Sequence, residues 1–557
     1  MHESTLEHTG IIVTLDSKPF ATEAVAMPSI GMRDPLVILG SAPWPDEPWW
    51  RRMAPSTLFV LLSAAIAVFF LLHELVIAGK LGFPDAESWV RQVFARNFFP
   101  RLIFEYPGAQ STGPTSPFWI VILSLAANVF HDGILAAKLL GAIFLFLTGY
   151  YSFRLMRAIE MDYATALLGG ILIVTSALLG WSELSGLEST LSTSILLGAF
   201  WWHFARPEHE SRGVQALMTG AIFALAALTR PEITLVFLIV LVWQIFFCSK
   251  GIHRAAFMAL AFIVILTPVA ITNFAISGSI VPVAFRNVIG NESFVRLLWY
   301  GKTAEAAART LASFGGLWRM IRTVYVQENP VFLITIVLAI AARLRRALPR
   351  RDRADEVFAL LVTVLVAFPY GRALVLGTPD AFGVQSRLVH FIVPIYSLAG
   401  ILSVRTLVRY ELFRTIKIKS LVASTAGSLL IAGCGCLWLD AGEHPFTMFS
   451  PELSSGLLLF FTALLFLVGL RHVGIPIFKR EQPQHVTEEE RKRMELSLHE
   501  EPDDDPNLPL SASRALHAAL LVMLAWNLAS LPRAANEFAV QVRQTNIARA
   551  VNTAPMP

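Results

Sequence analysis

Long apolar runs recur along nearly the whole chain, and they constrain its fold more than any other feature. Most of the runs are about 18 to 24 residues long, the length that an α-helix needs to cross the hydrocarbon core of a bilayer. Hydrophobic residues make up 55% of the 557 residues and charged residues only 15%, whereas a soluble globular chain carries about 25% charged residues. The sequence therefore predicts an all-α polytopic membrane protein.

The apolar runs predict about 13 transmembrane helices. Their approximate positions are residues 57–79, 134–153, 163–181, 187–205, 213–229, 232–248, 255–275, 329–343, 355–374, 388–404, 420–438, 453–470 and 515–532.

One further apolar run, residues 115–130, decides the topology. If this run crossed the membrane, Arg154, Arg157 and the basic stretch 343–353 would lie outside. If it lies in the outer interface, all the arginine-rich loops fall inside, as the positive-inside rule requires. We therefore predict a membrane-parallel helix at 115–130, with the N-terminus inside and the C-terminus outside.

This topology divides the chain into soluble and membrane segments. The net charge of +4 mostly records the basic inner loops and does not indicate a nucleic-acid partner. The predicted segments are a cytoplasmic N-terminal tail at 1–55, a transmembrane module at 56–405 with extracytoplasmic loops 80–133 and 276–328, C-terminal helices within 406–532 with a charged cytoplasmic loop at 476–512, and an extracytoplasmic tail at 533–557.

Ionisable residues collect at the predicted outer ends of the spans. Such residues are costly at membrane depth and usually face a bundle interior or a water-filled cavity. Taken singly, the arginines also fit snorkelling anchors, and Glu188 and Glu232 fit helix N-terminal acids. Their shared side favours one polar cavity built from Asp85, Glu87, Glu183, Glu188, Arg230, Glu232, Arg372, Asp380, Arg387 and His390.

The residue types in this predicted cavity favour transfer from a lipid-phosphate donor. Carboxylates can take the proton of an attacking hydroxyl, and arginines can hold a phosphate through paired hydrogen bonds. The apolar helix at 115–130 would offer a floor for the lipid. Asp85, Glu87 and His390 could also bind a divalent cation, although no metal-ligand spacing stands out, so the cofactor stays open.

Several short motifs follow one another in a fixed order along the chain. They are "DAE" (85–87), "FARN" (94–97), "YPG" (106–108), "GPTSPFW" (113–119), "SGLEST" (185–190), "LTRPEI" (228–233) and "VPVAF" (281–285). With these motifs the chain resembles GT-C polyprenyl-phosphate-dependent membrane glycosyltransferases, and among them the mycobacterial cell-wall arabinofuranosyltransferase family. The resemblance covers residues 57–400, although Ala86 separates two acids that are usually adjacent.

The resemblance implies roles for individual residues. Glu87 is the expected base, with Asp85 either supporting it or capping the following helix. Arg230, Arg387 and Arg372 are expected to bind the donor phosphate. The expected substrate-binding residues are Asn97, Tyr106, Thr115, Ser116, Trp119, Glu188, Glu232 and His390.

The resemblance also implies partners and a location. The donor would be a polyprenyl-phosphate-linked sugar, with arabinofuranose as the candidate sugar, and the acceptor a glycan, lipid or protein. The enzyme would lie in the bacterial inner membrane with its active site on the extracytoplasmic side. The competing interpretation is a transporter or flippase of an anionic lipid or solute. That function favours charges near the bilayer midplane, whereas the charges here lie at the outer ends of the spans.

Overall fold

Helices make up nearly all of the chain that the structure describes. The structure is a computed structural model, and it describes residues 55–99, 105–106, 109–110, 116–205, 212–248, 251–278, 280, 293–325, 328–346, 353–376, 390–409 and 510–553. Within these ranges two strands of two residues each pair in antiparallel fashion, with Glu105 opposite Gln110 and Tyr106 opposite Ala109. The predicted all-α fold is confirmed.

The described elements are numbered here in chain order. In order they are α1 (Pro55–Ala78), α2 (Ala86–Phe98), β1 (Glu105–Tyr106), β2 (Ala109–Gln110), α3 (Pro117–Phe130), α4 (Gly133–Ala158), α5 (Tyr163–Val174), α6 (Ala177–Leu184), α7 (Ser189–Phe204), α8 (Arg212–Thr229), α9 (Ile233–Phe247), α10 (Gly251–Ser277), α11 (Phe294–Trp299), α12 (Thr303–Ala312), α13 (Phe314–Met320), a π-helical turn (Ile321–Tyr325), α14 (Pro330–Arg346), α15 (Arg353–Leu376), α16 (Val393–Arg409) and α17 (Leu510–Thr553).

Six of the described helices are long and apolar enough to cross a membrane, and the bent pair α5–α6 adds a seventh if it counts as one span. Each predicted span within the described residues coincides with a helix. The predicted spans 420–438 and 453–470 lie outside the described residues, so the count of about 13 spans stays a prediction.

Small residues let the helices of the core approach one another closely. The ring of Phe59 on α1 is fully buried. It lies against Gly149 of α4 and Gly170 of α5, and a Cβ added to Gly170 would come within 2.6 Å of this ring. Small residues at helix contacts are typical of membrane bundles, where dispersion between closely packed surfaces drives association.

Helix α3 corresponds to the predicted membrane-parallel helix at 115–130. It has 14 residues, so it is about 21 Å long at 1.5 Å per residue, short of the roughly 30 Å hydrocarbon core. It starts with Pro117 at a position that needs no amide hydrogen bond. Trp119, Ile120 and Leu123 are buried. Its length agrees with an interfacial helix, and its orientation to the bilayer stays a prediction.

The predicted span 163–181 is broken into α5 and α6, which meet at an angle of 55°. Ser176 caps α6 by accepting a hydrogen bond from the amide of Leu179 at 3.2 Å. The Ser176 hydroxyl also donates to Glu328 Oε2 at 2.8 Å. The break therefore lies against the segment that leads into α14.

Helix α17 continues across the predicted boundary between the span 515–532 and the tail 533–557. Pro532 lies inside it. After this proline the side chains of Ala534, Ala535, Phe538 and Val542 are still buried. The C-terminal part of the helix thus packs against the rest of the protein, and its location outside the membrane stays a prediction.

Candidate active site

Helix α2 carries the first two predicted acids at its start. Asp85 is the N-cap residue, and its side chain accepts a hydrogen bond from the amide of Glu87 at 3.0 Å. Of the two roles that the sequence allowed for Asp85, capping is therefore the one seen in the structure. The side chain of Glu87 is 45% exposed and lies in the first turn of α2.

Arg91, one turn after Glu87, connects the two acidic motifs. Its Nη1 lies 3.2 Å from Glu87 Oε2. Its Nη2 donates to Glu188 Oε1 at 2.9 Å, and its Nε is also paired with Glu188 Oε2. Burial opposes the charge of Arg91, but the attraction of Glu188 and Glu87 outweighs this effect and raises the pKa of Arg91. Arg91 therefore stays charged although it is buried.

Glu188 is shared between two arginines. Arg230, which directly follows α8, places its Nη2 2.9 Å from Glu188 Oε1. The same guanidinium places its Nη1 3.8 Å from Glu232 Oε1. Neither Glu188 nor Glu232 uses its side chain as a helix cap, although each stands at an N-cap position. Both acids thus stand at helix N-termini, as the sequence suggested, and both carboxylates also form ion pairs with Arg230.

Five side chains form what we term the ion-pair network, in the order Glu87, Arg91, Glu188, Arg230 and Glu232. Charge alternates along the network, from a half-exposed carboxylate at one end through three buried groups to a mostly buried carboxylate at the other. Arg372 on α15 is also buried and interacts electrostatically with Glu232 and Arg230. The predicted acids and arginines from three separate motifs therefore do come together.

The loop that carries Glu188 is fixed by close backbone packing. Gly186 has a φ of +79°, and the ring of Phe83 occupies the space where a Cβ would stand. Only glycine adopts this conformation at little cost. Ser182 and Ser189 on either side of the loop share a hydrogen bond of 2.7 Å. The loop is thus held in one place by residues that the motif "SGLEST" contains.

The other predicted site residues are distributed more widely. Ser116 and Trp119 are fully buried at the start of α3, and Trp119 packs edge-on against Phe144 at 6.3 Å. His390 is buried beside α6, with its ring 6.3 Å from that of Trp181. Asn97 lies near the end of α2 and Tyr106 in β1. Thr115 and Arg387, together with Asp380 from the wider cluster, lie outside the described residues.

Among the described residues, no group of three His, Cys, Asp or Glu side chains is arranged to hold a metal ion. The carboxylates of the ion-pair network are instead close to arginines. A buried carboxylate that accepts charge-assisted hydrogen bonds from a guanidinium is more stable than a buried carboxylate without a partner.

Arg91 is the functional candidate that the sequence motifs did not reveal. The available signal was its spacing of four residues from Glu87, because an acid and a base at this spacing lie on the same helix face. That spacing is common on exposed helices and does not by itself indicate burial. The decisive partner, Glu188, is 97 residues away in the sequence.

No family model matches this sequence. No curated protein matches it either. The structure is similar to that of ArnT from Cupriavidus metallidurans bound to undecaprenyl phosphate, with a TM-score of 0.46, 15% identity, and coverage of 90% of this chain and 81% of that chain.

A second likeness is to the oligosaccharyltransferase of Archaeoglobus fulgidus tethered to an acceptor peptide. There the TM-score is 0.42 and the identity 13%, and the match covers 82% of this chain but only 60% of the other. A further structure of that organism's oligosaccharyltransferase AglB, in complex with an inhibitory peptide and a dolichol-phosphate, has a TM-score of 0.41 and 14% identity. All three TM-scores are below 0.5.

Proposed function

We propose that this protein is an integral membrane glycosyltransferase of the GT-C type. It would transfer a sugar, with arabinofuranose as the candidate, from a polyprenyl-phosphate donor to a glycan, lipid or protein acceptor on the extracytoplasmic side. The observation that carries the proposal is the ion-pair network, in which a half-exposed carboxylate is joined to buried arginines. Such a network offers a proton acceptor and an anion-binding group within one site.

In the proposed reaction the acceptor hydroxyl oxygen attacks the anomeric carbon of the donor sugar. The bond between that carbon and the phosphate oxygen breaks, and polyprenyl phosphate leaves with the bonding electrons. Glu87 takes the hydroxyl proton. A single displacement inverts the configuration at the anomeric carbon, and because the phosphate is already a good leaving group the reaction needs no general acid.

Arg230 is the best-placed candidate for the donor phosphate. Its contact with Glu232 is long, at 3.8 Å, whereas Glu188 is held through both of its oxygens by Arg91. A phosphate that approaches Arg230 therefore competes with Glu232, which is the more weakly bound of the two carboxylate partners of Arg230. Arg372 adds positive charge nearby, and Arg387 remains a proposed third phosphate ligand.

The contacts of Glu87 support its choice as the base over Asp85. The Asp85 carboxylate already accepts the helix-capping hydrogen bond, and its loss would loosen the start of α2. Glu87 is the network's most exposed carboxylate, so an acceptor hydroxyl can reach it. The guanidinium of Arg91, whose Nη1 lies 3.2 Å from Glu87 Oε2, holds this carboxylate in place.

Replacement of Arg230 by Lys tests the phosphate role. Lysine keeps the charge but loses the planar pair of donors, so we expect turnover by the purified protein to fall by about 10²- to 10³-fold, as when a preorganised charge-stabilising donor is removed. The matched control is Arg157→Lys at the exposed end of α4, which should retain normal turnover. Equal turnover in the two variants would remove Arg230 from the proposed site.

A further inference from the structure

The far end of helix α17 lies against the segment that leads into α2. The hydroxyl of Thr545 donates a hydrogen bond to the carbonyl of Pro84 at 3.1 Å. Asn546 packs against Gly82 so closely that a Cβ on this glycine would come within 2.8 Å of the Asn546 amide oxygen. These contacts join parts of the chain that are more than 450 residues apart.

One turn further along α17, a cation lies over an aromatic ring of α2. The guanidinium of Arg549 is 4.1 Å from the ring centre of Trp89. Trp89 in turn meets the ring of Phe83 edge-on at 5.0 Å, and Phe83 fills the space beside Gly186. A continuous series of contacts therefore runs from α17 to the loop that carries Glu188.

The same segment is also held from inside the bundle. Glu74 at the end of α1 accepts a hydrogen bond from the amide of Gly82 at 2.6 Å and pairs with Lys138 at 2.9 Å. The Lys138 ammonium lies 4.4 Å from the ring centre of Phe538 on α17. Both Glu74 and Lys138 are buried, so this pair fixes the start of the segment.

The contacting residues of α17 occupy one helix face. Phe538, Val542, Thr545, Asn546 and Arg549 stand at positions i, i+4, i+7, i+8 and i+11, which together line one face of a helix. The face therefore continues as one stripe from Phe538 to Arg549, where it meets α2. In the sequence this stripe is hidden, because its apolar and polar members do not form a hydrophobic pattern.

We propose that Arg549 and Thr545 are positioning residues that hold the first turn of α2 in the orientation the active site requires. Trp89 lies two residues from both Glu87 and Arg91, so a movement of Trp89 turns the helix and shifts both side chains of the network. The proposed effect of Arg549 and Thr545 on catalysis rests on the proposed glycosyl transfer. Their effect on the order of α2 does not depend on any activity.

The test compares four full-length proteins in lipid nanodiscs: wild type, Arg549→Gln, Arg549→Lys, and Arg543→Gln as the matched control on the exposed surface of α17. Amide hydrogen exchange is measured by mass spectrometry.

We expect exchange in residues 86–92 to become about two- to fivefold faster in Arg549→Gln, as loss of an exposed cation–π contact implies. Exchange in α3 should not change, and Arg549→Lys should restore the wild-type rate because lysine keeps the cation. Unchanged exchange in Arg549→Gln, or equal acceleration in Arg543→Gln, would overturn the proposal.

A second readout connects the position of α2 with turnover. In transfer assays with synthetic polyprenyl-phospho-sugars, Arg549→Gln should lower kcat with little change in the donor KM, and Arg549→Lys should recover kcat. A normal kcat in Arg549→Gln despite faster exchange would overturn the link to catalysis. If the wild type transfers no sugar, the proposed function fails, while the exchange measurement still decides whether α17 orders α2.

Discussion

Arg91 is the residue on which the ion-pair network depends most. It is the only described side chain that contacts both Glu87 and Glu188, at opposite sides of one guanidinium. Burial of a charge is favourable only where its partners compensate the lost hydration. Two carboxylates provide that compensation here, so the loss of Arg91 leaves a buried acid with one partner fewer.

Arg91→Gln should therefore lower stability as well as activity. Removal of one member of a buried ion pair typically costs about 3 to 5 kcal/mol, and we expect a clearly lower Tm in detergent. The matched control is Arg96→Gln, an exposed position on the same helix, which should leave the Tm unchanged. An equal Tm for Arg91→Gln and Arg96→Gln would contradict the assignment.

The three acids of the network and Arg230 were predicted from the sequence, but Arg91 and the pairing of these side chains were not. "DAE", "SGLEST" and "LTRPEI" each contributed at least one member of the network. The sequence could not show that Arg91 joins the first two motifs, since an arginine four residues after an acid occurs on many solvated helices. Arg91 and Glu188 are 97 residues apart, so their pairing depends on how the fold places α2 beside the loop before α7.

At the scale of the element, the break between α5 and α6 creates a second buried polar contact. A straight span would leave Ser176 without its capping position, whereas the 55° bend directs its hydroxyl to Glu328. Nearby, Tyr396 donates a hydrogen bond to the carbonyl of Asn329 at 2.6 Å. The apolar run at 163–181 predicted the span but not the bend, because Thr175 and Ser176 are compatible with an uninterrupted membrane helix.

Glu328 makes the stability of this junction dependent on pH. Burial raises the pKa of the Glu328 carboxyl to about 7, although the hydrogen bond from Ser176 acts in the opposite direction. A pKa that is higher in the folded than in the unfolded protein favours the fold at low pH, and the stabilisation is lost as the pH rises towards 7. We expect the wild-type Tm in detergent to fall between pH 5 and pH 8 more than that of Glu328→Gln, whose amide cannot ionise. Parallel Tm curves for the two proteins would contradict this prediction.

Helix α17 shows the limit of prediction from hydrophobic periodicity. Its apolar part was recognised as a span, but the polar residues after Pro532 predicted only a tail. The structure continues the helix to Thr553 because the residues facing the protein, Phe538 and Val542 among them, find apolar partners across the fold. Such tertiary stabilisation of a weakly patterned helix is invisible without knowledge of its partner.

At the scale of the whole molecule, the fold brings the start of helix α2 beside the loop before α7, where Arg91 pairs with Glu188. The positions of the spans could be predicted because lipid requires long apolar runs with internally paired backbones. The bounds of individual helices differ by a few residues, as at α16, which begins at Val393 where the sequence indicated a start near residue 388. The prediction that the ion-pair network lies on the outer side of the membrane rests on the positive-inside rule.

Thiol labelling of intact cells tests that side directly. In a variant lacking Cys248, Cys434 and Cys436, we expect a cysteine at His131 to react with an impermeant maleimide added outside. A cysteine at Ala158 should be protected until the cells are permeabilised, because α4 separates the two positions. Labelling of position 158 from outside would invert the predicted topology and would place the ion-pair network on the cytoplasmic side.

The central claim, glycosyl transfer with Glu87 as the base, is tested most directly by single-sugar transfer with purified protein. The donors are synthetic polyprenyl-phospho-sugars, arabinofuranose among them. We expect Glu87→Gln to lower transfer by about 10²- to 10⁴-fold, as for removal of a positioned base, while native mass spectrometry still shows the lipid donor bound. Asp85→Asn should stay close to the wild-type rate, since asparagine is also a good N-cap. Full transfer by Glu87→Gln would contradict the account, and a wild type that moves the lipid across the bilayer without transferring a sugar would favour the transporter.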